Sequence, residues 1–269
     1  MALQAMADAA ARAGGRTGMA ADAPAVLHVY HPLGFPGPGK DEAYLEAAIR
    51  AGAQVLELGI PFSDPVADGP VLQEAAHRAI EAGTTPASAL ATVARLRARH
   101  PDVGLVVMAY ANSLHRLGWE AAARALGAAG VDGLIVPDMP LREAVRLQPA
   151  FARNGVAWIP LVSSTVPAAA IRAAAALRPP FVYAASLGVT GQAGPGAEAV
   201  AALRRLREVA PDVPVAVGFG VRDGDDVHRL RSAGADGVVV GSALVRRVLD
   251  GAAPDAYGAA VAALRQACG

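Results

Sequence analysis

Short runs of aliphatic and β-branched residues recur along the chain, and in each run the apolar positions are continuous rather than alternating. A continuous apolar run of this length is typical of a strand that is buried on both faces of a sheet. The pattern predicts eight strands: VLHVY (26–30), VLELGI (55–60), GLVVMAY (104–110), GLIVPD (133–138), VAWIPLV (156–162), FVYAAS (181–186), VPVAVGFG (213–220) and GVVVG (237–241).

The segments between these runs are rich in Ala, Leu and Arg at helical spacing. Several of them close with Ala-Gly before the next strand, and glycine at a helix end supplies the left-handed turn that releases the chain. The long interval before the third strand has room for an additional helix over 70–82. The other predicted helices are 41–51, 87–99, 119–129, 167–177, 197–209 and 223–233.

Alternation of strands and helices predicts parallel pairing through right-handed crossovers. Eight such units predict a (β/α)8 TIM barrel of the α/β class. A doubly wound open sheet is the alternative, but it usually has fewer strands, and no Gly-x-Gly-x-x-Gly turn follows the first strand. We expect one barrel domain over residues 23–269, preceded by a flexible or weakly helical extension over 1–22.

Composition and charge exclude several classes of partner. Of the 269 residues, 54% are hydrophobic and 18% are charged, and the formal net charge is +0. Nothing therefore indicates a nucleic-acid or acidic-membrane surface, and no apolar run reaches the roughly 18 residues of a membrane span. The single cysteine, Cys268, suits a cytoplasmic protein. A mitochondrial-type targeting peptide is the alternative at the start of the chain, where Asp8 and Asp22 argue against it.

Two carboxylates near the end of the second strand are the first candidates for chemistry. The working face of a TIM barrel is the end where its strands terminate. Glu57 points either outward, to pair with a helix arginine, or into the barrel mouth, where burial would favour its protonated form and prepare it for proton transfer. Asp64 and Asp68 follow in a proline-rich loop. Both fit simple turn caps, and Asp68 is also a candidate for catalysis.

Glycine-rich turns after the last strands indicate a phosphate site. The segments VAVGFGVRD (215–223) and GVVVGSALV (237–245) each end a strand in glycine and then enter a helix. Backbone N–H groups at helix N-termini bind anions, and glycine allows close approach. TIM barrels often bind phosphate after strands seven and eight. With the glycine-rich segment 186–196, these turns predict a phosphorylated small-molecule substrate.

Other kinds of site are not indicated by the sequence. The six histidines are scattered, and His28 and His31 are expected to face opposite sides of the first strand. No His/Cys/Asp cluster has metal-binding spacing, and no serine sits in a Gly-x-Ser-x-Gly elbow. We therefore expect no metal ion.

The segment LELGIPFSDPVADGP (56–70) resembles the signature of the tryptophan synthase alpha chain family. The resemblance extends from about residue 24 to 250 and includes MAYANSL, VDGLIVPDMP, FVYAAS, GVTG, VGFGV and DGVVVGSALV in the family's order. It implies a lyase of tryptophan biosynthesis that cleaves indole-3-glycerol phosphate to indole and glyceraldehyde 3-phosphate, without a metal or organic cofactor.

The resemblance also assigns roles to individual residues. Glu57 would be the general acid that protonates the indole ring, Asp68 would bind the indole N–H, and Tyr183 would be the family's active-site tyrosine. The phosphate would be bound by Gly191, Gly220, Gly241 and Ser242. The indole pocket would be formed by Tyr30, Met108, Tyr110, Ile135 and Phe219.

A partner is implied as well, namely a pyridoxal-phosphate-dependent beta subunit in an α2β2 heterotetramer. The matching docking residues are Pro61, Phe62, Asp64, Pro65, Asn112 and Pro140. A stand-alone lyase that releases free indole, and a weakly catalytic barrel that mainly activates a partner, are the alternatives. The chain departs from the family pattern in HPLGFPG (31–37), in LVSST (161–165) and in AASLGVTG (184–191), which is one residue shorter than usual.

Overall fold

The chain forms one parallel sheet of nine short strands surrounded by helices. The computed structural model describes residues 24–185, 197–218 and 220–269. The strands are β1 (Val26–Pro32), β2 (Val55–Gly59), β3 (Gly104–Met108), β4 (Gly133–Ile135), β5 (Ala157–Trp158), β6 (Leu161–Val162), β7 (Val182–Ala184), β8 (Val215–Val217) and β9 (Gly237–Val240).

The described residues contain eleven helices, most of which follow a strand. They are α1 (Asp41–Arg50), α2 (Pro70–Glu81), α3 (Pro86–Arg99), α4 (Ala111–Leu117), α5 (Trp119–Ala128), α6 (Leu141–Ala152), α7 (Ala168–Ala176), α8 (Ala197–Val209), α9 (Gly224–Ser232), α10 (Ser242–Leu249) and α11 (Pro254–Ala267). Within that part of the chain, no helix is long and apolar enough to cross a membrane.

The strand order shows how the barrel closes. Neighbouring strands run β5-β4-β3-β2-β1-β9-β8-β7-β6, so the two end strands are consecutive in the chain. They are the two halves of the predicted fifth strand, divided at Ile159 and Pro160. The Ile159 N–H donates to Leu134 O at 2.9 Å, whereas Pro160 O accepts from the Tyr183 N–H at 2.9 Å. The fifth strand thus changes neighbour at its centre, and the predicted eightfold barrel is confirmed with one interrupted strand.

The predicted helices are confirmed to within one residue at either end, including the additional α2 between the second and third strands. Helix α2 begins at Pro70, after Gly69 in an extended conformation; proline fits the first helical turn because its missing N–H would have no partner there. Three helices were not predicted: α4, α6 and α11. Helix α10 was expected after the glycine turn in 237–245, although without bounds. The predicted N-terminal extension, residues 1–22, lies outside the described residues.

The last helix packs against α1, α9 and β1. Tyr257 and Val261 of α11 are fully buried, and so is Cys268 directly after it. The carbonyl of Cys268 accepts a hydrogen bond from the Ala25 N–H at 2.9 Å, just before β1. The C-terminal segment is therefore part of the core.

Candidate active site

A cavity of about 550 Å³ lies at the ends of the strands, where the catalytic face was predicted. Its wall combines two carboxyl groups and two phenols with a larger apolar surface. The lining residues are Tyr30, Glu57, Ala67, Asp68, Leu72, Met108, Ile135, Pro137, Leu161, Tyr183, Gly218, Val239, Gly241 and Ser242. The apolar majority suits an aromatic ligand, and the few polar groups can orient it.

Glu57 points into the barrel, not toward the outer helices. It lies on β2 in register with Tyr30 of β1, and both side chains line the cavity. Only 2% of Glu57 is exposed. A buried carboxyl group needs a polar partner, and Glu57 has one in His28, whose Nδ1 lies 2.9 Å from Glu57 Oε1.

Asp68 reaches the same cavity from the loop that follows β2. Burial raises the pKa of Asp68 to about 6, although a hydrogen bond from Tyr110 opposes this rise. The hydroxyl of Tyr110 also accepts from the Ala67 N–H at 3.2 Å, and Gln73 Nε2 donates to Asp68 O at 2.7 Å. These contacts hold the loop so that its carboxyl group faces the cavity. With a pKa of about 6, Asp68 remains mostly ionised at neutral pH.

Two tyrosines complete the polar part of the cavity. Burial raises the pKa of Tyr30 and Tyr183 well above the ordinary value, and the charges of Glu57 and Asp68 raise both further. Both phenols therefore remain protonated and can donate hydrogen bonds.

Glycines opposite these tyrosines make room for the hydroxyl groups. A Cβ at Gly59 would collide with Tyr30 Oη. A Cβ at Gly218 would collide with Tyr183 Oη and lie 2.6 Å from Val239 Cβ. The role of Gly59 and Gly218 was missed because a sequence does not show which ring lies opposite a glycine.

The predicted phosphate site is partly described. Gly241 and Ser242 line the cavity at the N-terminus of α10, where backbone N–H groups favour an anion. Gly220, with φ +77, is buried but is not among the lining residues. A Cβ at Gly241 would approach the Tyr30 ring to 3.2 Å, so glycine is needed there for packing as well. Gly191 lies outside the described residues.

The predicted indole pocket is only partly brought together. Tyr30, Met108 and Ile135 line the cavity, whereas Tyr110 lies behind Asp68 and does not line it. Phe219 lies outside the described residues. Leu72, Leu161 and Val239 also form the wall. Nothing in the sequence distinguishes these apolar residues from those of the core.

Comparison with known proteins identifies the family. A sequence model of the tryptophan synthase alpha chain family matches residues 19–267. The tryptophan synthase alpha chain of Halorhodospira halophila is 43% identical, over 96% of this chain and 93% of its own. Tryptophan synthase of Mycobacterium tuberculosis in space group F222 superposes with a TM-score of 0.84 at 31% identity, covering 98% of this chain and 97% of that one. A tryptophan synthase alpha chain of Legionella pneumophila gives 0.83 at 27% identity, with coverages of 99% and 97%.

This chain belongs to the tryptophan synthase alpha chain family. The predicted membership, the TIM-barrel fold and the lyase activity on indole-3-glycerol phosphate in tryptophan biosynthesis are thereby confirmed. The relatives support this function, and they do not support the alternatives of a stand-alone lyase or a partner-activating barrel.

The residues predicted to dock a partner of the alpha chain lie around the cavity mouth. Asp64, Asn112 and Pro140 are exposed, and Pro61, Phe62 and Pro65 are half-buried. The Phe62 ring stacks on Tyr110, with centroids 5.1 Å apart. The loop that carries Phe62 and Asp68 also carries an exposed apolar side chain, Val66, at 72% exposure.

His28 is a polar residue next to the cavity that the sequence analysis did not predict as part of the site. The two histidines of β1 do face opposite sides: His28 contacts Glu57, whereas His31 Nε2 lies 2.8 Å from Phe35 O. An alternating pattern could have placed His28 on the inner side with Tyr30, two residues later. Within the described ranges, no group of three His, Cys, Asp or Glu residues could hold a metal ion.

Proposed function

We propose that the chain cleaves indole-3-glycerol phosphate in this cavity, with Glu57 as the general acid and Asp68 as the partner of the indole N–H. The supporting observation is that two buried carboxyl groups line one mostly apolar cavity. An apolar wall suits the indole ring, and two carboxyl groups in different surroundings can divide the acid and charge-stabilising roles.

The proposed cleavage exchanges protons only between the substrate and Glu57. Glu57 donates its proton to the ring carbon that bears the glycerol phosphate, and the ring becomes an indoleninium cation. The bond from this carbon to the side chain then breaks, and its electron pair returns to the ring. The adjacent glycerol hydroxyl loses its proton and becomes the aldehyde of glyceraldehyde 3-phosphate. The Glu57 carboxylate takes up that proton, so the acid is restored.

Asp68 serves the charge that develops on the ring. Protonation of the ring carbon makes the indole N–H more acidic and more positive. A carboxylate that is ionised at neutral pH interacts with this N–H more strongly in the transition state than in the ground state, and such a difference lowers the barrier. Burial strengthens the interaction because less water screens it.

The phosphate is bound by the N-terminus of α10, which follows β9. Ser242 begins this helix, and Gly241 precedes it. Their backbone N–H groups can donate to the phosphate oxygens, and the helix dipole adds to the attraction. The proposal includes Gly191 and Gly220 in this phosphate site only because they match the family pattern.

A tryptophan synthase beta subunit is the proposed partner, in an α2β2 complex within the cytoplasm. Val66 offers exposed apolar surface two residues before Asp68, and apolar anchors surrounded by polar groups are typical of interface hot spots. Phe62 stacks on Tyr110, which holds the Asp68 loop. Docking at this rim would therefore act on the position of Asp68.

The test is a direct assay of products. Purified chain is incubated with indole-3-glycerol phosphate, and indole and glyceraldehyde 3-phosphate are measured, with and without a beta subunit of the same source. We expect both products in equal amounts, and a higher rate with the beta subunit. Absence of indole under both conditions would refute the lyase. Full activity without any complex at micromolar concentrations would refute the proposed partner.

A further inference from the structure

His28 lies directly beneath the proposed acid, on the inner side of β1. Its side chain is completely buried, and its Nδ1 lies 2.9 Å from Glu57 Oε1. Phe181 packs edge-on against the imidazole, with centroids 4.9 Å apart and ring planes at 87°. This packing fixes the plane of the ring and so the direction in which Nδ1 points.

His28 does not belong to the cavity wall, whereas Glu57 does. The imidazole therefore reaches the acid from the side away from the substrate. A contact of 2.9 Å between two buried polar groups is a full hydrogen bond, and loss of one partner leaves the other buried without it. Glu57 is thus held through one of its two oxygens, and the second oxygen is left for the substrate.

We propose that His28 is a positioning residue that donates its Nδ1–H to Glu57 Oε1 and so directs the catalytic proton to Oε2. This inference rests on the proposed role of Glu57. A proton on Oε1 would face the donor, so the protonated acid carries its proton on Oε2, toward the ring carbon. After transfer, the same hydrogen bond stabilises the carboxylate. The imidazole keeps its own protons throughout, and the proton balance of the cleavage is unchanged.

The pH dependence that this hydrogen bond causes can be told apart from the titration of the groups around Glu57. Besides His28, the titratable groups near Glu57 are Tyr30 on β1, Tyr183 on β7 and Asp68 in the loop after β2. Both phenols have a pKa raised well above the ordinary value, so they stay neutral over the working range. Asp68 has a pKa of about 6 and sets the acidic limb of a pH profile. A change outside this limb therefore reports on the contact between His28 and Glu57.

The variants are His28→Leu, which removes the hydrogen bond, and His28→Asn, whose amide can donate from nearly the position of Nδ1. For His28→Leu we expect kcat to fall roughly tenfold to a hundredfold with KM almost unchanged, as for loss of a hydrogen bond to a charged group. The kcat profile should also change outside its acidic limb, because the hydrogen bond that favours the carboxylate form of Glu57 is lost. His28→Asn should recover most of kcat and the original profile.

His31→Gln is the matched control. His31 is a buried histidine on the other side of the same strand, and glutamine can replace its Nε2 contact with Phe35 O. This variant should leave the pH profile unchanged even if its melting temperature falls. A folded His28→Leu variant with wild-type kcat and profile would overturn the proposal. So would an effect on KM alone, or equal losses in both His28 variants with an unchanged profile.

A spectroscopic readout is independent of activity. In protein with 15N-labelled histidine, the Nδ1 signal of His28 should shift in Glu57→Gln and stay unshifted in Asp223→Asn, which is remote from β1. If His28→Leu does not fold, this shift decides the matter, and its absence refutes the contact. If the wild type releases no indole but the shift is present, the proposed function fails and the His28 contact stands.

Discussion

At the scale of single residues, the site contains a carboxyl group whose burial opposes its ionisation. Asp68 is 4% exposed, and burial raises its pKa from the ordinary value of an aspartate to about 6. Because the folded state binds this proton more tightly than the unfolded chain, the group favours folding below about pH 4. That contribution is lost as the pH rises through about 6. At neutral pH, the ionised carboxylate needed for catalysis is therefore a cost to stability.

Asp68→Asn should separate these two effects. The amide does not titrate, so we expect its stability advantage over the wild type to grow between pH 4 and pH 6 and then level off, by up to about 3 kcal/mol. Cleavage should be largely lost while substrate still binds. Urea unfolding at several pH values, with binding and single-turnover rates at pH 7.5, provides the measurement. A stability difference that does not change with pH would contradict the raised pKa.

These residues also show what a sequence can reveal about a site. Glu57 was predicted because an acid at the end of an apolar strand is costly and so calls for a reason. Asp68 was a candidate from its place in the following loop, and the family resemblance gave it a role. His28 was missed because its proposed role depends on a contact with Glu57, which is 29 positions away in the sequence. The need for glycine at Gly218 was missed for a similar reason, since it depends on the tyrosine ring opposite.

At the scale of elements, the loop between β2 and α2 is held by a side chain that follows the neighbouring strand, β3. Tyr110, directly after β3, accepts from the Ala67 N–H, donates to Asp68 and stacks on Phe62. Burial and the charge of Asp68 raise the pKa of Tyr110 well above its ordinary value, so the phenol remains a donor.

Tyr110→Phe should loosen this loop while keeping the stacking on Phe62. The hydrogen bond from Tyr110 lowers the pKa of Asp68, so its loss should move the acidic limb of kcat/KM to higher pH. We expect roughly a tenfold lower kcat, as for loss of one hydrogen bond to a charged group. Tyr44→Phe is the control, because the Tyr44 hydroxyl donates to Ala252 O. Equal effects of the two variants would argue against a specific role for Tyr110.

Gly218→Ala tests the packing between β8 and β7. The added methyl group would collide with Tyr183 Oη and press on Val239, so we expect loss of most activity and a lower melting temperature. Tyr183→Phe in the same chain should recover part of the stability, since the collision with the hydroxyl is removed. Gly224→Ala is the control, because its Cβ would meet only Ala267 at 3.3 Å. A mild Gly218→Ala variant would show that Tyr183 moves freely.

The predicted elements differ from the observed ones for physical reasons. Strand cores and most helices follow from apolar periodicity alone. The split of the fifth strand depends on Pro160, which has no N–H to donate, and on which neighbouring strand donates to its carbonyl oxygen. Helix α6 was missed because it contains Pro149, a residue that normally marks the end of a helix. Helix α10 was expected after the glycine turn in 237–245, because a strand that ends in glycine at an anion site usually leads into a helix.

At the scale of the whole molecule, the cavity and the proposed docking rim share one face of the barrel. The TIM-barrel fold places the carboxyl end of every strand on this face. A partner that covers the rim therefore also covers the cavity mouth. Val66 is the most exposed large apolar side chain reported for the described residues, and it lies two positions before Asp68.

Val66→Glu should therefore weaken the complex without removing the intrinsic lyase activity. We expect basal indole release close to that of the wild type and a clearly higher concentration of beta subunit for half-maximal activation, because a charge would be buried at the interface. Ala173→Glu, on the exposed side of α7, is the control and should behave as the wild type. Titration of the beta subunit, followed by indole formation and complex size, provides the measurement. Identical activation curves for both variants would place the interface elsewhere.

The central claim is that Glu57 delivers the proton that releases indole. Single-turnover formation of indole by Glu57→Gln tests it most directly, because glutamine keeps the shape of the side chain but cannot donate that proton. With folding and substrate binding verified, the rate should fall by roughly 10²–10⁴-fold, the usual cost of losing a general acid. A folded variant that binds substrate and keeps as much as a tenth of the wild-type rate would show that Glu57 is not the acid.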